Sequence, residues 1–247
     1  MSRMKFLNIE IDNLSMEESV FEIDKLINKR KNSYVVTPNV DHIVKLEKDN
    51  EFVEVYKSAD LVLTDGMPLI WISKLLKKPI REKVSGSDLF PNVCKLACEK
   101  GYSIFLLGAA EGVASKAAEN LMEKYKGLKI AGTFSPSYGF EKSDDEIKKI
   151  INIINKANPD ILVVGLGAPK QEKFIYKYKD MLNVPISLAI GASIDFEAGN
   201  VERAPIWMQK SGLEWFYRFI KEPKRMFKRY FIDDIKILKV YLKYRKA

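Results

Sequence analysis

Short apolar runs alternate with longer amphipathic segments along roughly the first 200 residues of the chain. Several of the runs, such as IFLLG and ILVVG, are apolar at successive positions, which is typical of strands covered on both faces. The predicted strands are Tyr34–Thr37, Leu61–Thr64, Ser103–Gly108, Lys129–Thr133, Ile161–Gly165 and Ile186–Gly191. Helical spacing occurs at 15–29, 40–55, 68–76, 87–98, 112–125, 143–155 and 170–181. The repeated strand–helix–strand order predicts an α/β fold with a doubly wound, mostly parallel, Rossmann-like sheet.

The pattern changes after Pro205. Apolar and aromatic residues recur every three or four positions from Leu213 to Leu242, with basic residues among them, and Pro223 divides the stretch into two helices. We therefore predict an α/β domain over residues 1–202 and a basic, aromatic, helical appendage over residues 203–247.

The charge of the chain is concentrated in that appendage. The formal net charge is +8, but residues 1–202 carry 28 basic and 29 acidic side chains, whereas residues 203–247 carry 13 and 4. Helices with basic and aromatic faces are typical of a membrane interface or a lipid-phosphate site. The alternative is an ordinary packed helix whose lysines form a solvated face.

The composition excludes several classes of protein. A hydrophobic fraction of 47% excludes a disordered chain, and two cysteines with one histidine exclude a disulfide scaffold and leave a zinc site short of ligands. No run of 18 apolar residues and no signal sequence is present, so we predict a cytoplasmic protein. We expect Cys94 and Cys98 to lie in the core and His42 to lie on a helix surface. No metal or other cofactor is predicted, since no Asp-x-Asp triplet occurs.

Ligands of doubly wound sheets bind beyond the carboxyl ends of the strands, so the residues at those ends are the candidates for chemistry. Asp65 follows an apolar strand, where it would act as a general base or hold a sugar hydroxyl, or else cap the next helix. Thr37 and Asn39 follow the first predicted strand and would orient a hydroxylated ligand, although Asn39 would equally serve as a helix cap.

Three further strand ends carry candidate binding residues. Gly108 ends the third predicted strand, and the turn with Gly165 and Gly167 presents backbone N–H groups that favour an anion. This turn contains GxG without the full GxGxxG dinucleotide fingerprint. Asp195 and Arg203, after the last strand, either reach a ligand or pair to brace a loop.

Taken together, these segments resemble the WecG/TagA/CpsF family of bacterial glycosyltransferases. The matching segments are TPN at 37–39, DGMPLIW at 65–71, KVSGSDLF at 83–90, IFLLGAA at 104–110, SYGF at 137–140, PDILVVGLGAPKQEKFI at 159–175, IDFEAGNVERAP at 194–205 and GLEWFYRFIKEPKR at 212–225. They follow one another in order over nearly the whole chain.

The resemblance implies an inverting enzyme that moves an N-acetylhexosamine, N-acetylmannosamine in the first instance, from a UDP-sugar to a polyprenyl-diphosphate-linked GlcNAc. Such a step belongs to the synthesis of cell-wall polymers of the teichoic acid type. A uronic acid or another hexose donor, for capsule or exopolysaccharide, is the alternative within the family. The implied place is the inner face of the bacterial cell membrane, which the appendage would contact. A homo-oligomer is possible, and no nucleic acid partner is expected.

The resemblance also implies roles for individual residues. Asp65 would be the base, Thr37 and Asn39 would share its pocket, and Gln171 would lie near the nucleotide-sugar. Arg218 and Arg225 would be the cations of the appendage that close over the site.

Two departures from the family pattern concern substrate binding. Lys83 stands where the family commonly has arginine; it keeps the charge but loses the bidentate fork. The loop before Asp195 reads GASIDF in place of a glycine-rich GVGGSFD, which predicts a less open loop.

Two functions of other classes remain open from the residues alone. A nucleotide-dependent oxidoreductase would use the same kind of sheet, and the missing GxGxxG argues against it. A non-catalytic scaffold with a basic nucleic-acid or membrane tether would explain the charge of the tail.

Overall fold

The structure, a computed structural model, describes residues 3–245, except for the side chains of Lys210 and Arg225. The strands are β1 (Met4–Phe6), β2 (Ile9–Ile11), β3 (Ser33–Val36), β4 (Leu61–Val62), β5 (Ser103–Gly108), β6 (Lys129–Phe134), β7 (Ile161–Gly165) and β8 (Ile186–Ala189). Strands β3 to β8 form one parallel sheet in the order β4-β3-β8-β7-β5-β6, and β1 and β2 form a separate antiparallel hairpin.

Helices connect the strands and form the C-terminal segment, residues 203–245. They are α1 (Met16–Lys29), α2 (Val40–Leu46), α3 (Asn50–Lys57), α4 (Met67–Leu75), α5 (Gly86–Lys100), α6 (Val113–Lys124), α7 (Asp144–Ala157), α8 (Lys170–Leu182), α9 (Ser193–Ala198), α10 (Ile206–Lys210), α11 (Glu214–Lys221), α12 (Pro223–Phe227) and α13 (Ile237–Tyr244). A π-helical turn, Lys228–Asp233, and a 3₁₀ turn, Asp234–Lys236, join α12 to α13, and another 3₁₀ turn covers Phe140–Lys142.

The sheet is covered on both faces, which confirms the predicted doubly wound, Rossmann-like α/β fold. Tyr34 and Val36 of β3 pack into one apolar core together with side chains of α3, α7 and α8, whereas Val35 packs into the other with α1, α5 and α6. Every residue of β3 and β8 is buried. A strand buried on both faces needs apolar residues at successive positions, as the sequence shows.

Two local features differ from the predicted elements. The β1–β2 hairpin was not predicted, because each strand is only three residues long and so short an apolar–polar–apolar alternation does not stand out in the sequence. The helix predicted over 40–55 is two helices, α2 and α3, because the side chain of Asp49 accepts a hydrogen bond from the backbone N–H of Phe52 and starts a new helix.

The C-terminal segment packs against the α/β domain. Val240 of α13 is buried in the same core as Phe52, and Met226 of α12 is almost fully buried. Between residues 3 and 245 no helix combines the length and the apolar character that crossing a membrane requires. The segment therefore brings its side chains to the domain as packed helices.

Candidate active site

Two adjoining pockets lie at the carboxyl edge of the parallel sheet. We call one the sheet pocket, because Thr37, Gly167, Gln171 and Gly191 from the strand ends line it. We call the other the appendage pocket, because Glu214, Trp215, Tyr230 and Asp234 from the C-terminal segment line it, together with Lys83. Six residues line both pockets: Asn39, Asp65, Ser87, Phe196, Arg218 and Arg229.

Asp65 stands where the two pockets meet. Its backbone N–H donates a hydrogen bond of 2.8 Å to the carbonyl oxygen of Pro38, which joins the ends of β3 and β4. The N-cap of α4 is Gly66, with φ of 100°, and no side chain caps this helix. The capping alternative for Asp65 is therefore wrong, and its carboxylate forms no hydrogen bond or ion pair with any side chain that the structure describes.

The surroundings of Asp65 raise its pKa toward neutral pH. Burial raises the pKa of Asp65 from an ordinary value of 3.8 to about 6, and the negative charge of Glu214 acts in the same direction. The positive charges of Lys83 and Arg218 oppose this rise. A carboxylate with a pKa near 6 is ionised at neutral pH and takes up a proton more readily than an exposed one, as a general base requires.

Thr37 and Asn39 lie beside Asp65, as predicted for one pocket. Thr37 is buried, and its hydroxyl donates a 3.4 Å hydrogen bond to the carbonyl oxygen of Ala189. Asn39 does cap α2: its Oδ1 accepts hydrogen bonds from the backbone N–H groups of Asp41 and His42. Its Nδ2 is not needed for that cap, so Asn39 both caps the helix and lines the pockets.

Gln171 connects two strand ends. Its Oε1 accepts hydrogen bonds of 3.2 Å from the backbone N–H groups of Gly167, after β7, and Gly191, after β8. Its Nε2 donates to Oε1 of Glu172 at 2.8 Å. The side chain is almost fully buried and forms part of the wall of the sheet pocket.

His42 is buried at 5% exposure, so the predicted surface position is wrong. The physical reason is a buried carboxylate from α8: Nε2 of His42 lies 3.4 Å from Oε1 of Glu172. The ring also packs beside Phe52 and Tyr56 of α3. Cys94 is buried, as predicted, and Cys98 is partly exposed.

Lys83 and Arg203 belong to a cluster of alternating charges beside the appendage pocket. Nζ of Lys83 lies 2.7 Å from Oδ2 of Asp88, and Arg203 lies 2.8 Å from the other oxygen of that carboxylate. Both cations also approach Glu214 of α11, at 3.8 and 3.5 Å. Despite its burial, Asp88 has a pKa lowered to about 2, because Lys83, Ser85 and Arg203 donate hydrogen bonds to it. The cluster ties the C-terminal segment to the start of α5.

Arg218, one of the predicted appendage cations, lines both pockets, and its guanidinium lies over the ring of Phe196. The side chain of Arg225, the other predicted cation, lies outside the described part of the structure. Sequence reasoning missed Phe196, Arg229 and Asp234. Arg229 reaches both pockets from the π-helical turn, and π-helical turns are frequent at functional sites.

Gly108, Gly165, Asp195 and Arg203 do not line either pocket in the described part of the chain. Gly108 has φ of 119°, and a Cβ there would lie 2.4 Å from the carbonyl oxygen of Gly165. Gly108 thus allows the end of β5 to approach β7 closely, whereas a Cβ at Gly165 would lie 2.8 Å from the carbonyl oxygen of Gly191. Asp195 lies in the first turn of α9.

No group of three or more His, Cys, Asp or Glu side chains is placed to hold a metal ion within residues 3–245. Four carboxylates and three cations line the two pockets: Asp41, Asp65, Glu214 and Asp234 against Lys83, Arg218 and Arg229. A carboxylate without a partner beside several cations suits proton transfer from a hydroxyl next to an anionic group.

The match to known proteins extends over nearly the whole sequence. The model of the glycosyl transferase WecG/TagA/CpsF family matches residues 4–247, so this chain belongs to that family and is a glycosyltransferase. This finding confirms the resemblance, and it rules out the oxidoreductase and the non-catalytic scaffold as alternatives.

Individual relatives carry a more specific name. A protein of Bacillus subtilis (strain 168), 32% identical over 219 residues that cover 88% of this chain and 83% of its own, is named N-acetylglucosaminyldiphosphoundecaprenol N-acetyl-beta-D-mannosaminyltransferase. A protein of Staphylococcus aureus (strain MW2) with the same name is 27% identical over 250 residues, which cover 100% of this chain and 96% of its own.

Proposed function

We propose that this enzyme transfers N-acetylmannosamine from UDP-N-acetylmannosamine to polyprenyl-diphosphate-linked GlcNAc, with inversion at the anomeric carbon. The step would belong to the synthesis of a cell-wall polymer of the teichoic acid type. The names of the relatives support the sugar and the acceptor. The observation that carries the chemistry is the unpartnered carboxylate of Asp65, with a pKa of about 6, where the two pockets meet.

In the proposed reaction Asp65 accepts the proton of the acceptor hydroxyl. The oxygen of that hydroxyl attacks the anomeric carbon from the face opposite the UDP, and the bond to the UDP oxygen breaks. Asn39 and Thr37 would orient sugar hydroxyls beside the base. A positioned base of this kind contributes roughly 10² to 10⁴-fold to the rate.

The two pockets suggest a division between the substrates. The sheet pocket, whose wall includes Gly167 and Gly191 and which Arg218 and Arg229 also line, would hold the nucleotide-sugar, since guanidinium groups bind phosphate. The appendage pocket would hold the diphosphate of the acceptor, whose lipid would leave past Met67, Trp215 and Tyr230.

The cations at the two pockets would neutralise the negative charge of two diphosphates. Arg218 and Arg229 line both pockets, and their Nε atoms are buried without a hydrogen-bond partner among the described residues, although Nε of Arg229 lies 3.8 Å from Oδ2 of Asp234. Guanidinium groups in this state favour a phosphate, which they bind with two parallel hydrogen bonds. We assign them to the leaving UDP and the acceptor diphosphate, with Lys83 beside them; Arg225 remains a further candidate from the sequence.

The outer face of the C-terminal segment supports binding to a membrane surface. Large exposed apolar side chains lie among its basic residues: Ile206, Trp207, Trp215, Phe216, Ile220, Phe227, Phe231, Ile232, Ile235, Leu238 and Leu242. Exposed aromatic and cationic side chains together are typical of an interfacial helix. We propose that the enzyme sits on the cytoplasmic face of the membrane, with the opening of the appendage pocket toward the lipid.

A flotation assay tests this membrane proposal. The protein should bind vesicles that contain anionic lipid, and Phe227→Ser with Phe231→Ser should weaken binding while UDP affinity is kept. If these side chains instead serve an interface between two copies of the chain, the double variant would dissociate an oligomer and leave vesicle binding unchanged.

The donor and acceptor are tested with a panel of UDP-sugars and a short-chain lipid-diphosphate-GlcNAc, by following UDP release. We expect UDP-N-acetylmannosamine to give the highest kcat/KM. Higher turnover with a UDP-uronic acid or UDP-hexose would assign the enzyme to another branch of the family.

A further inference from the structure

We propose that Glu172, supported by His42, is a positioning residue for the sheet pocket, because it fixes the side-chain amide of Gln171. The inference deepens the proposed function, on which it rests only for the nature of the ligand in that pocket. The proton transfer assigned to Asp65 needs neither Glu172 nor His42.

The orientation of the Gln171 amide is set by its partners. Its oxygen accepts from two backbone N–H groups, those of Gly167 and Gly191, and its nitrogen donates to Glu172. If the amide were reversed, an NH₂ group would face two N–H donors, so each of these hydrogen bonds would be lost. Among the residues that the structure describes, Glu172 supplies the acceptor for this nitrogen.

Glu172 in turn lies within ion-pair distance of His42, from a third strand end, although Nε2 of that ring forms no hydrogen bond with the described residues. Its side chain is 1% exposed, and its Oε1 lies 3.4 Å from Nε2 of His42. Nδ1 of His42 accepts a 3.1 Å hydrogen bond from the backbone N–H of Asn39, so the proton of a neutral ring lies on Nε2, facing Glu172. The chain of contacts therefore joins the ends of β3, β7 and β8 below the pocket.

Stability alone does not explain a carboxylate at this place. A buried carboxylate is costly, and a well-packed apolar side chain of similar size is often no less stable. Oε2 of Glu172 is moreover buried without a hydrogen-bond partner among the described residues. Glu172 does not line the pocket, whereas its partner Gln171 does, so its effect on a ligand must pass through Gln171.

The inference is tested in the ligand-free protein by amide hydrogen exchange at Gly167 and Gly191. Glu172→Leu should remove the acceptor for Gln171 and speed exchange in both segments, whereas Glu172→Gln, with its amide oxygen toward Gln171, should keep most of the protection. The matched control is Ile175→Ala. Ile175 is a buried apolar residue about one turn after Glu172 on α8, and it is not part of the hydrogen-bond network. This variant should lower the melting temperature without a selective effect on those two segments.

Binding of UDP reports the consequence for the pocket. We expect Glu172→Leu to raise the Kd for UDP and the KM for the donor at least about tenfold, as the loss of a hydrogen bond to a charged group implies, with a much smaller change in kcat. Glu172→Gln and Ile175→Ala should bind UDP nearly as the wild type does, at a temperature well below their melting. Should Glu172→Leu not fold, Glu172→Asp withdraws the carboxylate by one methylene and is expected to show the same two effects.

The outcomes separate this inference from the proposed function. Unchanged exchange at Gly167 and Gly191, or faster exchange with unchanged UDP affinity in Glu172→Leu, would overturn the positioning role. Failure of the wild type to bind UDP would instead contradict the proposed donor, while the exchange measurement would still decide whether Glu172 holds the two loops.

Discussion

The guanidinium of Arg218 lies over the ring of Phe196, with its central carbon 5.3 Å from the ring centroid. Arg218 belongs to α11 of the C-terminal segment and Phe196 to α9 of the sheet domain, and both residues line both pockets. The stacked ring holds the guanidinium in place and leaves its edge available for hydrogen bonds. The C-terminal segment thus supplies part of the wall of the proposed active site.

Arg218→Ala should lower kcat/KM by about 10- to 100-fold, the range expected for the loss of hydrogen bonds to a charged group. Arg218→Lys should recover only part of this loss, because lysine keeps the charge without the planar fork. The matched control is Lys221→Ala: Lys221 lies on the same helix but pairs at the surface with Glu202. If both alanine variants lost activity equally, the effect would be one of net charge and not of the pocket.

The charges around Asp65 should move the acid limb of the pH–rate profile in opposite directions. Lys83 lowers the pKa of Asp65 and Glu214 raises it, each through its charge. Lys83→Met should therefore shift the acid limb to higher pH, and Glu214→Gln should shift it to lower pH. The measurement is kcat/KM from pH 5 to 8, and shifts of the same sign in both variants would contradict Asp65 as the titrating group.

The raised pKa of Asp65 also predicts that the ionised carboxylate destabilises the fold. Because the folded state holds this proton more tightly than the unfolded chain, stability falls as the pH rises from about 4 to about 6 and then stays lower. Asp65→Asn should match the wild type below pH 4 and be more stable above pH 6, by about 3 kcal/mol or roughly 8 °C. If the difference in melting temperature between the two proteins were the same at every pH, Asp65 would not be desolvated in the folded state.

The close approach of β5 and β7 predicts a different kind of loss. Gly108→Ala places a Cβ 2.4 Å from the carbonyl oxygen of Gly165 at a φ of 119°. We expect it to destabilise the fold by about 3 kcal/mol or more, since both backbone strain and a backbone clash arise. Gly127→Ala is the control: its φ is 91° with nothing within 4 Å of the added carbon, so strain alone should cost about 1 kcal/mol. Equal losses would mean that the strand ends can separate without difficulty.

The central sheet and the place of Asp65 were predictable because they depend on local patterns. Strands such as ILVVG are apolar at successive positions because both faces are buried, and polar residues then stand out where the strand ends. The start of α3 had a local signal too, since Asp49 precedes the helix that it caps.

Other parts of the site depend on contacts that no local pattern records. His42 looks like a polar residue on a helix surface, and only the packing of α8 brings Glu172 to within 3.4 Å of it. Arg229 was one basic residue among many in the tail, and a π-helical turn, which has no helical periodicity of its own in the sequence, directs it to the pockets. Asp234 follows that turn directly and lines the appendage pocket, which its position in the sequence does not indicate.

The turnover of Asp65→Asn tests the central claim most directly. With UDP-N-acetylmannosamine and a lipid-diphosphate-GlcNAc acceptor at pH 7.5, the account predicts that kcat falls by roughly 10² to 10⁴-fold while the variant remains folded and binds UDP with nearly wild-type affinity. The wild-type rate should rise with pH up to about 6 and then level off, as the pKa of Asp65 requires. Near-normal turnover in a folded Asp65→Asn variant would contradict the assignment of Asp65 as the base.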